Sequence, residues 1–299
     1  MNPLDISELR QLCQIAKKAA IAAGEYIQSR FDGQYTQQRK AGGDTIASQV
    51  VTEVDIKAQQ IILDHLQDSM ATYDLGLLTE EAVDDQSRQS KAYFWCIDPL
   101  DGTLPFTEHR TGYAVSIALI SKAGDPVLSA VYIPDLQLCY SAITGEGVQL
   151  NDELFTRSAI TSGDTLHFYM DRSFLSDPYY EFIKNRISQW AQEHEKVDIS
   201  YHNDFGGVRN AIGVMTSVRG CYFKFPKERK GSGSIWDYSA TRLFFEELGL
   251  PVSNALGERL HLNTPQTTFM NHQGALYATD EYLARFIVHL GRKVEGLAS

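Results

Sequence analysis

The sequence predicts a layered α/β protein of the α+β kind: two long helices, an antiparallel N-terminal sheet, and a mixed α/β C-terminal half. Three observations predict this order. Apolar residues recur every three or four positions near the N-terminus. Short runs rich in β-branched and aromatic residues then follow one another at hairpin spacing, and helix and strand patterns alternate from about Phe155 onward.

In the first helix Leu9, Leu12, Ala16, Ala19, Ala23 and Ile27 share a face, and Asp5 followed by Glu8 reads as the capping box that starts it. Thr52 to Leu66 gives the second helix, with Val54, Ala58, Ile61, Ile62 and Leu66 inward. Between them QYTQQRKAGGDTIASQ, residues 34–49, is polar and glycine-containing, which predicts a loop. Strands are expected over Tyr93–Ile97, Tyr113–Ile120, Val127–Ile133 and Leu138–Ala142, and TGEGVQLND, Thr144 to Asp152, reads as a turn closing this half. A boundary near residue 157 divides the chain into 1–157 and 158–299, the second part with helices expected at Asp177–His194 and Trp236–Leu248.

Composition bounds the function. With 299 residues, 43% of them hydrophobic, the chain fills one large domain or two ordinary ones. No apolar run approaches the roughly 20 residues of a membrane span, and Met1–Arg10 is polar and acidic, so a soluble, cytoplasmic protein without membrane contact is expected. Cys13, Cys96, Cys139 and Cys221 are scattered without a CxxC pair, which fits buried, reduced thiols. A net charge of −11 argues against a nucleic-acid polymer as partner. A bound metal ion still allows a small anionic substrate, because locally it outweighs that field.

The chemistry concentrates in WCIDPLDGTLPF, Trp95 to Phe106. Residues three apart on a regular strand face opposite ways, so Asp98 and Asp101 cooperate only if the chain turns between them; Pro99 predicts that turn. Gly102 and Thr103 then read as a helix start, with Pro105 in the first turn, and a helix start offers N–H groups to a phosphate. Two carboxylates about 4 Å apart repel by roughly 4 kcal/mol at an effective dielectric of about 20, so the pair needs a cation or a shared proton. All-oxygen ligation without HExxH or CxxC points to Mg²⁺. A DxDGT phosphatase, which forms an aspartyl-phosphate, needs its carboxylates two apart and fits less well. Glu80 and Glu81 in LTEEAVDD, Asp55 in VVTEVDIKAQQ and Asp237 in GSIWDYSATRLFFEELG extend the acidic set.

With DPLDGT at its centre, the Glu80-Glu81 pair and Thr52-x-x-Asp55 upstream and Trp236-Asp237-x-Ser-Ala240 downstream, the sequence resembles the inositol monophosphatase superfamily over roughly residues 10–260. These are Mg²⁺-dependent, lithium-sensitive phosphatases that include the 3′(2′),5′-bisphosphate nucleotidases. The resemblance implies a layered αβαβα sandwich and two or three Mg²⁺ ions. Glu80, Asp98 and the Leu100 carbonyl would hold one ion, and Asp98, Asp101 and Asp237 another. It further implies that Gly102 and Thr103 present N–H groups to the phosphate, and that Asp55 accepts the Thr103 hydroxyl hydrogen, so that Glu80, Asp55 and Thr103 serve catalysis. Thr79, Thr241 and Asn254 depart from residues common in the family, and none is a ligand.

The resemblance implies hydrolysis of a small soluble phosphate ester, of inositol-phosphate type or, as an alternative, a 3′(2′),5′-bisphosphate nucleotide. A catalytically silent metal- or phosphometabolite-binding protein with this fold is the rival of another class. In KFPKERKGSGS, Lys224, Lys227, Arg229 and Lys230 surround Glu228, and Lys227, Arg229 and Lys230 are candidate substrate-specificity residues for a second anionic group. Gly231 to Ser234 is a candidate lid. Dimers are frequent in the superfamily, so a homodimer belongs among the expected partners.

Overall fold

Asp5 accepts from the Glu8 N–H at 2.9 Å and Glu8 reciprocates at 2.8 Å, and this box opens α1 (Ile6–Arg30). The protein is described by a computed structural model covering residues 3–33, 35–39, 50–157, 165–195, 198–228 and 233–298. Within the stretch expected to be a loop, β1 (Gln37–Arg39) pairs antiparallel with β2 (Val50–Thr52), with Gln38 opposite Val51; residues 40–49 lie outside the described residues. Residues 37–39 are all polar and show neither alternation nor an apolar run, so the composition of the segment concealed the strand. Thr52 is also the N-cap of α2 (Glu53–Tyr73).

The first sheet contains β3 (Gly76–Thr79), β4 (Tyr93–Asp101), β5 (Ala114–Ser121), β6 (Pro126–Ile133), β7 (Leu138–Ile143), β8 (Val148–Leu150) and β9 (Glu153–Leu154), in that spatial order. From β4 onward it is an antiparallel meander, as expected, but β3 joins β4 in parallel, so the sheet is mixed at one edge. The expected closing turn contains β8. A short helix, α3 (Thr103–Thr107), lies between β4 and β5.

The second sheet has the order β11-β10-β12-β14-β13, from β10 (Thr165–Tyr169), β11 (Asp198–His202), β12 (Arg219–Lys224), β13 (Val252–Ser253) and β14 (Ala275–Ala278). Its pairings are parallel at β10 and antiparallel at β14. Its helices are α4 (Tyr180–Trp190), α5 (Gly207–Thr216), α6 (Ile235–Glu247) and α7 (Glu281–Ala298). A 3₁₀ turn, Arg172–Ser176, precedes α4, and a π turn, Ala191–Glu195, carries its path on to about where the sequence places its end.

Period-two alternation sorts the side chains into layers. Trp95, Ile97, Val115 and Ile117 pack with Leu12, Ala16, Ala58 and Ile62 of α1 and α2. Their neighbours Phe94, Cys96, Ala114 and Ala118 point the other way, onto Val208 and Ile212 of α5 and Leu243 and Phe244 of α6. Tyr169, Tyr222 and Tyr277 of the second sheet join that same cluster. Beyond them Phe168, Cys221, Phe223 and Leu276 face α4 and α7 through Ile187 and Ile287. Helices, sheet, helices, sheet, helices: this is the αβαβα sandwich. Its middle layer is shared by both sheets, so anything at the near ends of β4, α5 and α6 is held from two sides.

Candidate active site

The chain does not turn out of the sheet at Pro99. β4 continues to Asp101, and three steps along it, Asp98 to Asp101, lie against two along β5, Ser116 to Ala114. That extra residue is a β-bulge, and it has the consequence the spacing required: residues three apart come to the same face. Pro99 sits where the ladder is interrupted and no N–H is needed. Asp98 Oδ1 accepts from the Leu100 N–H at 3.1 Å, which bends the carboxylate back over the bulge.

Asp101 reaches across to the second half. Its Oδ1 accepts from the Gly207 N–H and its Oδ2 from the Val208 N–H, both at 2.9 Å, so it satisfies the free N–H groups at the start of α5. Gly206 makes this approach possible: a Cβ there would lie 2.4 Å from Asp101 Oδ2. Asp237 occupies the third position of α6 and accepts the Ser234 N–H in a capping box, which fixes its direction. One oxygen from each of Asp98, Asp101 and Asp237 lies within 4.8 Å of the others.

Glu80 arrives by the parallel edge. Its N–H bonds the Ile97 carbonyl at 3.2 Å, extending the β3–β4 ladder by one residue and placing Glu80 beside Asp98. Thr79, at a position where glycine is common, gives its hydroxyl to Gln59 Oε1 on α2 at 2.6 Å, and the Glu81 N–H bonds the same oxygen at 3.1 Å. This ties the turn to α2. Glu80 lines the central cavity and Glu81 does not.

Asp55 is buried behind the cavity wall. It accepts the Thr52 N–H at 2.8 Å, the Thr52 hydroxyl at 2.6 Å and the Thr103 hydroxyl at 2.9 Å. The Thr103 hydroxyl also lies 3.1 Å from the Leu100 carbonyl, so its one hydrogen has two acceptors. Burial pushes the Asp55 carboxyl up to about 6, against the bonds from Thr52. Gly102 has φ +83°, and an added Cβ would meet the Gly112 carbonyl at 2.8 Å, so this turn needs glycine.

Burial and mutual repulsion raise the proton affinity of all three aspartates. Burial, then Glu80, Asp101 and Asp237, raise Asp98 well above the usual carboxylate range. Burial and Asp237 do the same to Asp101 despite its backbone donors. Asp237 is pushed up to about 6 by burial, although Lys224 opposes this. Several oxygen donors facing one another without a matching cation fit a hard divalent ion. The donor set therefore accommodates Mg²⁺.

These groups line a cavity of about 570 Å³, which also includes Gly102, Thr103, Arg172, Lys224, Trp236 and Phe269. The expected basic cluster divides. Lys224 lies on the cavity, its Nζ 2.6 Å from Asp171 Oδ2 and above the rings of Tyr222 and Tyr238. Lys227 points into a neighbouring cavity and pairs with Asp177 at 3.1 Å, so it is not at the central site. Arg229 and Lys230 lie outside the described residues, as do Gly231 and Ser232 of the expected lid. Sequence reasoning missed Gly206, Asp171 and Arg172. The pair Gly206-Gly207 ahead of an apolar helical run is a helix-start signal, but its partner, Asp101, lies a hundred residues away. All four cysteines are buried and unpaired.

A sequence profile described as the Inositol monophosphatase family matches residues 8–293. The chain belongs to the inositol monophosphatase family. Two curated relatives of this family bear the name 3′(2′),5′-bisphosphate nucleotidase CysQ. The one from Salmonella typhimurium is 30% identical over 266 residues, 88% of this chain and 96% of that protein. The one from Escherichia coli is 29% identical with the same coverage. The Nus factor SuhB of Escherichia coli is 31% identical over 143 residues, 48% of this chain and 51% of its own. Among solved structures, a Thermotoga maritima IMPase superposes with a TM-score of 0.71 at 18% identity, covering 97% of this chain and 99% of that one. The inositol monophosphatase of Anabaena gives 0.67 at 19%, covering 94% and 95%. These structures share the fold. Membership of the family, with relatives of this coverage, makes the chain a metal-dependent phosphatase acting on small phosphate esters, as the DPLDGT block led us to expect. No helix among the described residues is long and apolar enough to cross a membrane.

Proposed function

We propose that the chain is a Mg²⁺-dependent phosphomonoesterase whose substrate is a bisphosphorylated nucleotide of the 3′(2′),5′ kind. The observation that carries the chemistry is the convergence of Asp98, Asp101 and Asp237 from the two halves to within 4.8 Å. Favouring the nucleotide over an inositol-phosphate-type ester are the relatives with near-complete coverage, which bear the name bisphosphate nucleotidase, whereas SuhB matches over half its length.

In this reading Glu80, Asp98 and the Leu100 carbonyl would hold one Mg²⁺, and Asp98, Asp101 and Asp237 would hold a second. When bound, Mg²⁺ polarises phosphoryl oxygens and makes a water acidic enough to attack at neutral pH. The protein's own part is placement. Gly102 and Thr103 line the cavity where β4 passes into α3, and their backbone N–H groups orient the phosphate. Thr103, with its hydroxyl hydrogen given to Asp55, keeps an oxygen lone pair for the attacking water. Trp236, Phe205 and Phe269 supply the apolar wall that excludes bulk solvent.

The test is phosphate release in Mg²⁺ and in EDTA from 3′-phosphoadenosine 5′-phosphate, inositol 1-phosphate and fructose 1,6-bisphosphate. Mg²⁺-dependent release with the nucleotide favoured is expected, and a preference for inositol 1-phosphate would reverse the substrate assignment. In Asp98→Asn turnover should fall by more than about 100-fold, a scale reached even by groups that only support a ligand. Near-wild-type activity in that variant would refute the metal assignment.

A further inference from the structure

The central cavity is lined by many carboxylates and, among the described residues, by two cations, Arg172 and Lys224. They are not equally available. Lys224 is clamped on Asp171 between tyrosine rings, and its side chain is only 12% exposed. Arg172, the residue after Asp171, opens the 3₁₀ turn that follows β10 and is 37% exposed. It meets Glu108, at the C-terminal end of α3, in a two-bonded fork: Nη1 to Oε1 at 2.6 Å and Nη2 to Oε2 at 2.7 Å.

This fork presents the guanidinium edge, with two parallel N–H groups, in the geometry that suits two oxygens of a phosphate. The pair is solvent-accessible on both sides, so little is lost when its carboxylate is exchanged for another anion. Glu108 also has somewhere to go. Arg110 Nη1 is already 3.5 Å from Glu108 Oε2, and Arg110 is anchored in turn by Asp204. The fork lies at the opposite end of α3 from Gly102 and Thr103, about 7.5 Å of backbone rise away at 1.5 Å per residue, so the two ends of one short helix serve two separate anionic groups.

We propose that Arg172 is the specificity residue that grips the phosphate not being hydrolysed, and that Glu108 occupies its fork until substrate displaces it. The inference rests on the phosphatase reading above and adds the residue that selects a second anionic group. It replaces Lys227 in that role.

Adenosine 3′-monophosphate and 3′-phosphoadenosine 5′-phosphate share the scissile ester and differ only in the 5′-phosphate. The readout is the ratio of their kcat/KM values in Mg²⁺ for the wild type, Arg172→Gln, Arg172→Lys and Glu108→Gln. The ratio should fall about tenfold or more in Arg172→Gln, recover in part in Arg172→Lys, and rise in Glu108→Gln, where the fork has lost its charged competitor. A ratio in Arg172→Gln within about twofold of wild type overturns the assignment. Calorimetric binding of the same nucleotides in EDTA, where nothing turns over, is the second readout. The bisphosphate should bind more tightly than the monophosphate to wild type, and Arg172→Gln should erase that difference; an unchanged difference, or none in wild type, also counts against Arg172. Absence of Mg²⁺-dependent release by wild type would instead count against the phosphatase reading, and binding would still decide the role of Arg172.

Discussion

Replacing Gly206 by alanine should disable the site through a collision alone, with no dihedral strain at the position itself. The position has φ −67° and ψ 170°, ordinary for any residue at the start of a helix, so a methyl group introduces no dihedral strain. It does introduce a collision. The new Cβ would sit 2.4 Å from Asp101 Oδ2 and 2.7 Å from both Cγ and Oδ1, whereas ordinary contact begins at 3.4 Å. Asp101 or the start of α5 must therefore move by about 1 Å. Asp101 is short and held by two backbone N–H groups, so the movement breaks the cap of α5 and misplaces the proposed ligand together. Overpacking of this size costs about 1–3 kcal/mol, and a 1 Å misplacement costs about 100-fold in rate.

Gly207→Ala is the internal control, because the nearest atoms to its Cβ are Tyr222 Oη at 3.4 Å and Asp237 at 3.6 Å. Phosphate release at saturating Mg²⁺, and the Mg²⁺ dependence of that release, should be near wild type in Gly207→Ala. In Gly206→Ala turnover should be about 100-fold lower, with more Mg²⁺ required. If Gly206→Ala keeps the turnover and Mg²⁺ dependence of Gly207→Ala, Asp101 does not need the position it occupies, and its assignment as a ligand fails.

Two further perturbations separate the site from its scaffold. Asp237, with its carboxyl at about 6, and Asp98 and Asp101, raised in the same direction, are best tolerated in metal-free protein when protonated. Their contribution to stability is complete below the ordinary carboxylate value; that of Asp237 is lost as pH rises through about 6, and those of Asp98 and Asp101 are lost as pH rises above the ordinary carboxylate range. Mg²⁺ should therefore raise Tm little at pH 5 and more at pH 7.5; thermal melts in EDTA and in Mg²⁺ check this, and a pH-independent increment would contradict it. Arg242, 4% exposed, donates to the Gly124 and Leu260 carbonyls at 2.9 and 2.8 Å and pairs with Asp125 and Glu246. Arg242→Met leaves both carbonyls unsatisfied and should cost about 3 kcal/mol, a Tm lower by about 5–10 °C, with Mg²⁺-dependent turnover at 25 °C intact. An unchanged Tm would mean that water satisfies those carbonyls.

The parts of the fold that were legible in the sequence are those whose cause is local. Asp5 with Glu8, and the spacing from Leu9 to Ile27, contain all that α1 needs, and the same holds for Thr52 with Asp55 at α2. β1 was missed because its stability comes from pairing with β2 across a polar segment, a cause that no window on residues 34–49 contains. The acidic residues were legible as a set because DPLDGT is specific. How Asp98 and Asp101 share a face was not: proline suggested a turn, and the ladder instead absorbs one extra residue as a bulge. Lys227 looked equivalent to Lys224 in sequence. The strand end separates them, Lys224 directed to Asp171 at the cavity and Lys227 to Asp177 beyond it.

The location of the site follows from the layer order. Both sheets share α5 and α6, and the N-terminal ends of those helices meet the bulge of β4. Helix N-termini carry positive partial charge, which favours carboxylates placed against them. Asp101 lies on the first turn of α5, and Asp237 belongs to the first turn of α6. The same dipoles that stabilise these carboxylates individually cannot remove their repulsion from Asp98, which has no helix start of its own among the described residues and is held instead by the Leu100 N–H within the bulge. The protein thus anchors two members of the set through helix ends and brings the third against them through a bulge. Folding alone completes the geometry and leaves excess negative charge, so the work of bringing the carboxylates together is done by packing the middle layer, and a cation binding there finds them already assembled.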